Sequence, residues 1–184
     1  MSGETWAIFD TETTGLIAND LRPLSRQPKA IEVAAVLVRQ VAPGEWREID
    51  AFETLLNPGV LIDAVITRVT GLRNADLEGQ PRWEGVAAKF QAFIDRADGI
   101  AGHNISFDRR IIAMENARIE RVTIWPEKVL CTVEVGEALW GKRVKLSDMH
   151  TNLFGSPHEG AHRAISDVRA TAKCLAELMN RGEC

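Results

Sequence analysis

Asp10 and Glu12 flank Thr11 directly after Thr5-Trp6-Ala7-Ile8-Phe9, a short β-branched and aromatic run that reads as a buried strand. Residues i and i+2 of a strand point to one face, roughly 6.5–7 Å apart along it. Two carboxylates side by side repel each other unless something positive lies between them, and their hard oxygens suit Mg²⁺ or Mn²⁺. An isolated acid pair at a strand end is more often plain solvated polarity, so this pair alone decides nothing.

Two further segments carry similar chemistry. His103-Asn104-Ile105-Ser106-Phe107-Asp108 follows a short apolar run, Gly99 to Gly102. Ser106 reads as the cap of a helix to Ala117, which puts Asp108 in a first turn where the helix dipole favours a carboxylate. His162-Arg163-Ala164-Ile165-Ser166-Asp167 opens the last helix. Five helical residues turn through roughly 500°, so His162 and Asp167 share a site only if His162 lies in the loop before the helix. Gly155 to Gly160, with Pro157, supplies such a loop, from which an imidazole can serve as general base toward water. Each segment also has a bland reading as helix-start polarity. His150 and His158 show no such partners and receive no role.

The elements that must position these residues alternate between the two periods. Ala30–Arg39, apolar on both faces, reads as a central strand, and Trp46–Leu56 as a third strand after the Pro43-Gly44 turn, completing a meander with the first. Leu16 to Lys29, with Asn19-Asp20 and two prolines, reads as an irregular loop. Ile62–Val69 is a short helix closed by Thr70-Gly71, and Trp83–Ala97 is an amphipathic one with Val86, Ala87, Phe90, Phe93 and Ile94 inward. Val129–Thr132 is a fifth strand leading into Val133–Trp140. A basic loop, Gly141 to Lys145, precedes a modest helix, Leu146–Phe154. The final helix, Arg163 to Met179, buries Ile165, Val168, Ala172, Leu175 and Met179.

One mixed α/β domain is expected over 1–184, with its core at about 5–180; 184 residues suit a single core without disulfides. At 45% hydrophobic and 26% charged residues, the chain is not disordered. No apolar run approaches a membrane span and Met1 to Glu4 offers no leader, so no membrane association and a cytoplasmic location are expected. Three widely spaced cysteines suit a reducing compartment and give no zinc site. The net charge of −4 argues against a broad nucleic-acid-binding face. Asp10, Glu12, Asp108 and Asp167 each fall at a strand end or helix start, where a crevice forms in α/β folds, and four acids beside a histidine describe a two-metal clamp for phosphoryl transfer.

Phe9-Asp10-Thr11-Glu12-Thr13-Thr14-Gly15 resembles the first motif of the DEDDh 3′–5′ exonucleases, the DnaQ-like superfamily that includes polymerase proofreading subunits. His103-Asn104-x-x-Phe107-Asp108 matches the second motif and His162-x-Ala164-x-x-Asp167 the third, in order, and Val69-Thr70-Gly71-Leu72 resembles the segment between the first two. The segment from Cys131-Thr132 through Ala138-Leu139-Trp140 loosely resembles exonuclease X and TREX-like enzymes. The resemblance implies an RNase H-like α/β fold, a five-stranded mixed sheet flanked by helices. It further implies two divalent cations, Mg²⁺ with Mn²⁺ able to substitute. Asp10 would bridge both ions, Glu12 and Asp167 would complete the first site, and Asp108 would serve the second, directly or through water. His162 would be the general base; the sister branch uses tyrosine there, and this chain has none.

The implied reaction releases nucleoside 5′-monophosphates from the 3′ end of a polynucleotide. Thr13 would hold the terminal nucleotide, Leu16 would wedge against its base, and His103 and Asn104 would line the crevice. Two divalent ions would also offset the four ligand carboxylates. Single-stranded DNA is the leading substrate, RNA ends or short oligoribonucleotides the first alternative, and a non-catalytic nucleic-acid-binding subunit the second. A polymerase or a second copy is left open as partner. Only Arg181 to Cys184 follow the last helix, so any such partner is expected on the domain surface.

Overall fold

The computed structural model describes residues 3–18, 22–160 and 163–184, so Asn19, Asp20 and His162 lie outside the described residues. The first strand, β1 (Thr5–Thr13), runs past the hydrophobic stretch that ends at Phe9. Its polar end is strand because it keeps pairing with β2 (Ala30–Ala42): Asp10 opposes Ala34, Thr11 opposes Val33 and Glu12 opposes Glu32, before a register shift between Glu12 and Thr13. The meander continues antiparallel into β3 (Glu45–Leu55). Two short strands, β4 (Gly99–Gly102) and β5 (Lys128–Cys131), add in parallel on the other side, giving a five-stranded mixed sheet in the order β3-β2-β1-β4-β5.

Alternation along β1 sets the site. Ala7 and Phe9 face one layer, packed with Val33, Ala35 and Leu37 against α3 (Ala87–Ile94) and α4 (Ile105–Arg118) through Phe90, Phe93, Ile94, Ile111 and Ile112. Trp6 and Ile8 face the other layer, packed with Ala34, Val36 and Val38 against Val168, Ala172 and Leu175 of α7 (Ala164–Asn180). Carried on at period two, Asp10 and Glu12 fall on the α7 side, and Thr11 on the α4 side. Burying one Leu or Val-sized side chain contributes about 1.5–3 kcal/mol, so the two apolar layers fix which way the acids point.

The remaining helices are α1 (Ala64–Thr70), α2 (Asn74–Leu77), α5 (Thr132–Trp140) and α6 (Leu146–Phe154). Asp63 caps α1 by accepting from the Val65 and Ile66 amides, and Gly71 ends it with φ 76°. The expected helix from Trp83 is a 3₁₀ turn, Trp83–Gly85, followed by α3; all five residues assigned to its inner face are buried. α7 buries a second row absent from the sequence reading: Cys174 and Leu178 pack on Val144 and on Met149 of α6. No helix among the described residues is long and apolar enough to cross a membrane.

Gly102 lets the end of β4 approach β1. A Cβ there would stand 2.8 Å from Ile105 Cδ1 and 3.1 Å from the Phe9 carbonyl oxygen, which is backbone and cannot move aside. Gly102→Ala is therefore expected to cost about 1–3 kcal/mol, roughly 2–12 °C in Tm, by thermal denaturation.

Candidate active site

The carboxylates of Asp10, Glu12 and Asp167 converge: one ligand oxygen from each lies within 4.8 Å of the others. Two come from the same face of β1 and the third from the first turn of α7, where the Asp167 amide donates to the Arg163 carbonyl at 3.0 Å. Three hard oxygen donors at this separation fit a divalent cation of the Mg²⁺ or Mn²⁺ type.

Asp108 stands apart from that trio. It is buried in the first turn of α4, and its Oδ1 accepts from the Thr11 amide at 2.9 Å and the Thr11 hydroxyl at 2.7 Å. Thr11 is thus the bridge that seats Asp108 behind Asp10. The helix start differs from the sequence expectation: the cap position is Asn104, in the left-handed region at φ 70°, and Ser106 lies inside the first turn. Asn tolerates that conformation better than most residues, and its Oδ1 accepts from Arg143 Nη2 at 3.2 Å.

The electrostatics are those of crowded negative charge. Asp10 is held well above the usual carboxylate range by burial first, then by Asp108, Glu12 and Asp167. Glu12 is pushed up to about 8 by burial, then by Asp167, Glu32 and Asp108, with Arg163 opposing. Burial raises Asp108 to about 7 against the lowering effect of the Thr11 hydrogen bonds. The trio is partly exposed at the cleft while protein crowds its other sides. Such a cluster resists full ionisation until positive charge enters it.

A cleft of about 560 Å³ opens over the acids, lined by Asp10, Asp167, His103, Asn104, Arg143, Lys145 and His158. His103 uses both ring nitrogens internally, Nε2 to the Val144 carbonyl at 3.1 Å and Nδ1 to the Thr132 hydroxyl at 2.9 Å. Burial lowers its pKa, which favours the neutral ring, with Nε2–H donating to Val144 and Nδ1 accepting from Thr132. It therefore straps the end of β4 to the basic loop and shapes the cleft wall. Leu16 is 86% exposed and borders a second hollow with Asn104, Phe107 and Arg110. Thr13 is buried, its hydroxyl donating to the Gly15 carbonyl at 2.7 Å.

Arg143 and Lys145 of the basic loop line the cleft, while the Arg109 guanidinium sits over Trp125 at 5.6 Å. Sequence reasoning missed His158. Its Nε2 lies 2.7 Å from Asp167 Oδ1, its side chain is 7% exposed, and its Nδ1 has no partner among the described residues. The available signal was its place on the Gly155–Gly160 loop, already expected to overhang the acids. His150, also given no role, is tied to the Ser156 carbonyl at 2.6 Å.

With this geometry in hand, the Exonuclease family model matches residues 7–175. The chain belongs to that exonuclease family. Within it, the chain is a DnaQ-like member on an RNase H-like fold. The DNA polymerase III subunit epsilon of Aquifex aeolicus is 30% identical over 178 residues, covering 95% of this chain and 80% of that protein. The DNA polymerase III PolC-type protein of Clostridium perfringens is 32% identical over 174 residues, 94% of this chain but only 11% of that protein. This exonuclease chain thus spans about a tenth of the PolC-type relatives it matches. Among solved structures, the nuclease domain of 3′hExo, a DEDDh family member bound to rAMP, superposes with a TM-score of 0.78 at 14% identity, covering 98% of this chain and 94% of that one. Exonuclease X in complex with 5′-overhanging duplex DNA gives 0.67 at 23% identity, covering 97% and 93%. These likenesses establish a shared fold.

Proposed function

We propose that this exonuclease domain is divalent-metal-dependent and removes nucleotides from the 3′ end of single-stranded DNA as nucleoside 5′-monophosphates. The observation that carries this reading is the convergence of Asp10, Glu12 and Asp167 within 4.8 Å beneath a cleft rimmed by Arg143 and Lys145. Asp10, Glu12 and Asp167 would hold one ion and Asp10 with Asp108 a second, Mg²⁺ or Mn²⁺ by their all-oxygen donors. The chemistry such ions supply when bound is a lowered pKa of water and stabilised charge on the leaving 3′ oxygen.

The chain's own residues do the rest. Arg143 and Lys145 attract the backbone phosphates, which makes binding weaken with salt. Leu16, almost wholly exposed, would wedge against the terminal base, the backbone around Thr13 would hold that nucleotide, and His103 and Asn104, which line the cleft, would shape its pocket. His162 takes the proton of the water that attacks the terminal phosphorus, as its place in the third motif implies. DNA is favoured over RNA because the polymerase III relatives span nearly all of this chain. A polymerase is the partner those relatives point to.

A second reading of the base rests on one observation: the His158 imidazole lies 2.7 Å from Asp167 Oδ1. Single-turnover assays on matched 5′-labelled DNA and RNA separate the readings. His162→Ala is expected to lower the rate about 10²–10⁴-fold, the usual contribution of a general base, and His158→Ala less than tenfold. The reverse order makes His158 the base. Faster shortening of RNA than DNA overturns the substrate assignment and keeps the mechanism.

A further inference from the structure

Glu32 is fully buried in β2, directly opposite Glu12 in the sheet, and faces α7. Arg163 donates to its Oε1 from Nη2 at 2.8 Å and from Nε at 3.2 Å, with Nε also 3.3 Å from Oε2. Its Oε2 accepts from the Ala164 amide at 3.2 Å. The arrangement supplies something α7 lacks: its cap residue, Arg163, makes no side-chain cap. The first amides of a helix have no partner within the helix, so Glu32 caps α7 from another element of the fold.

We infer that Glu32 is the positioning residue for Asp167, acting through Arg163 and Ala164. The chain of contacts is short. Glu32 fixes Arg163 and the Ala164 amide, and the Arg163 carbonyl in turn accepts from the Ser166 amide at 2.9 Å and the Asp167 amide at 3.0 Å. Asp167 is the one member of the carboxylate trio not carried by β1, so the trio closes only if α7 starts at the right height above the sheet. A buried acid beside other acids is a poor way to gain stability, because ion pairs in the interior barely repay their desolvation. A role in setting geometry explains its presence. Arg163 is half exposed and also reaches Glu53 at 3.8 Å, which steadies it from the solvent side.

This inference rests on the reading of Asp167 as a metal ligand, and Mn²⁺ titration by calorimetry with turnover on 5′-labelled single-stranded DNA tests it. Glu32→Gln keeps the volume but loses the charge-assisted grip on Arg163. It is expected to weaken Mn²⁺ binding and lower kcat by about 10- to 100-fold, the usual effect of losing a ligand's supporting partner, with KM for the oligonucleotide unchanged. Arg163→Met should reproduce that pattern, and Arg163→Lys, which keeps a point charge, should recover part of it. If Glu32→Gln does not fold, the Arg163 pair carries the same test from a half-exposed position. Parental Mn²⁺ affinity and kcat in folded Glu32→Gln or Arg163→Met overturn the inference alone. A parent chain that binds no Mn²⁺ overturns the metal-site reading beneath it.

Discussion

Asp10→Asn is expected to lower exonuclease turnover by about a thousandfold or more while raising Tm in EDTA. Asp10 shares the trio with Glu12 and Asp167, and Asp108, held by Thr11, is the foremost of the neighbouring charges that raise it. Removing its charge deletes the ligand common to both proposed ion sites. The transition-state stabilisation such sites provide amounts to several kcal/mol, and each 1.4 kcal/mol is about tenfold in rate. Without metal the same charge is a burden, since burial first and then four neighbouring acids, Asp108, Glu12, Asp167 and Glu32, hold Asp10 well above the usual carboxylate range. Asparagine keeps the shape and removes the repulsion. Turnover and thermal melts on one preparation check both halves, and a variant that retains turnover within tenfold of the parent would remove Asp10 from the site.

Stability of the metal-free protein is expected to fall as pH rises from about 5 to 9, and bound Mn²⁺ to reverse the trend. Burial chiefly, with Asp167, Glu32 and Asp108 adding to it, pushes Glu12 up to about 8, so its neutral form is the one the fold prefers. A carboxyl raised on folding contributes stability that is complete below its unfolded pKa and lost as pH climbs through its folded pKa. For Glu12 alone the gap amounts to at most about 5 kcal/mol, and partial exposure at the cleft reduces it to a few, or roughly 5–10 °C in a chain of this size. Asp10 and Asp108 shift in the same direction and extend the window downward. Metal binding requires ionised carboxylates and releases their protons, so affinity for Mn²⁺ should climb across the same range. Melting curves from pH 5 to 9 in EDTA and in Mn²⁺ give both trends, and Glu12→Gln should flatten the EDTA curve. A flat or rising EDTA curve for the parent would mean the acids do not crowd one another.

The site was legible in the sequence where residue type alone dictated placement. The alternation of Trp6, Ile8, Asp10 and Glu12 against Ala7, Phe9 and Thr11 follows from the period of a strand, and the two apolar layers then turn the acids toward α7. The polar end of β1 was harder. Asp10 to Thr13 resembles a turn in composition, yet β2 pairs with it throughout, and tertiary pairing overrides local preference. The helix cap falls two residues before the expected Ser106: serine and asparagine cap about equally well, and the chain turns at Asn104, where left-handed backbone is needed. Long-range contacts were invisible altogether. Glu32 lies 131 residues from Arg163, and His158 meets Asp167 only because an irregular loop folds back over the sheet. Neither contact has a period or a motif that announces it. The motifs themselves, by contrast, identified the family that residues 7–175 match.

The most direct measurement of a metal-dependent 3′–5′ exonuclease is the degradation of 5′-labelled single-stranded DNA by the parent chain and Asp10→Asn in parallel, with Mg²⁺ and with EDTA. The parent with Mg²⁺ should produce a ladder that shortens one nucleotide at a time from the 3′ end, releasing nucleoside 5′-monophosphates. EDTA and Asp10→Asn should each leave the DNA intact. Intact DNA with the Mg²⁺-loaded parent, first cuts at internal positions, or equal degradation by Asp10→Asn would contradict it.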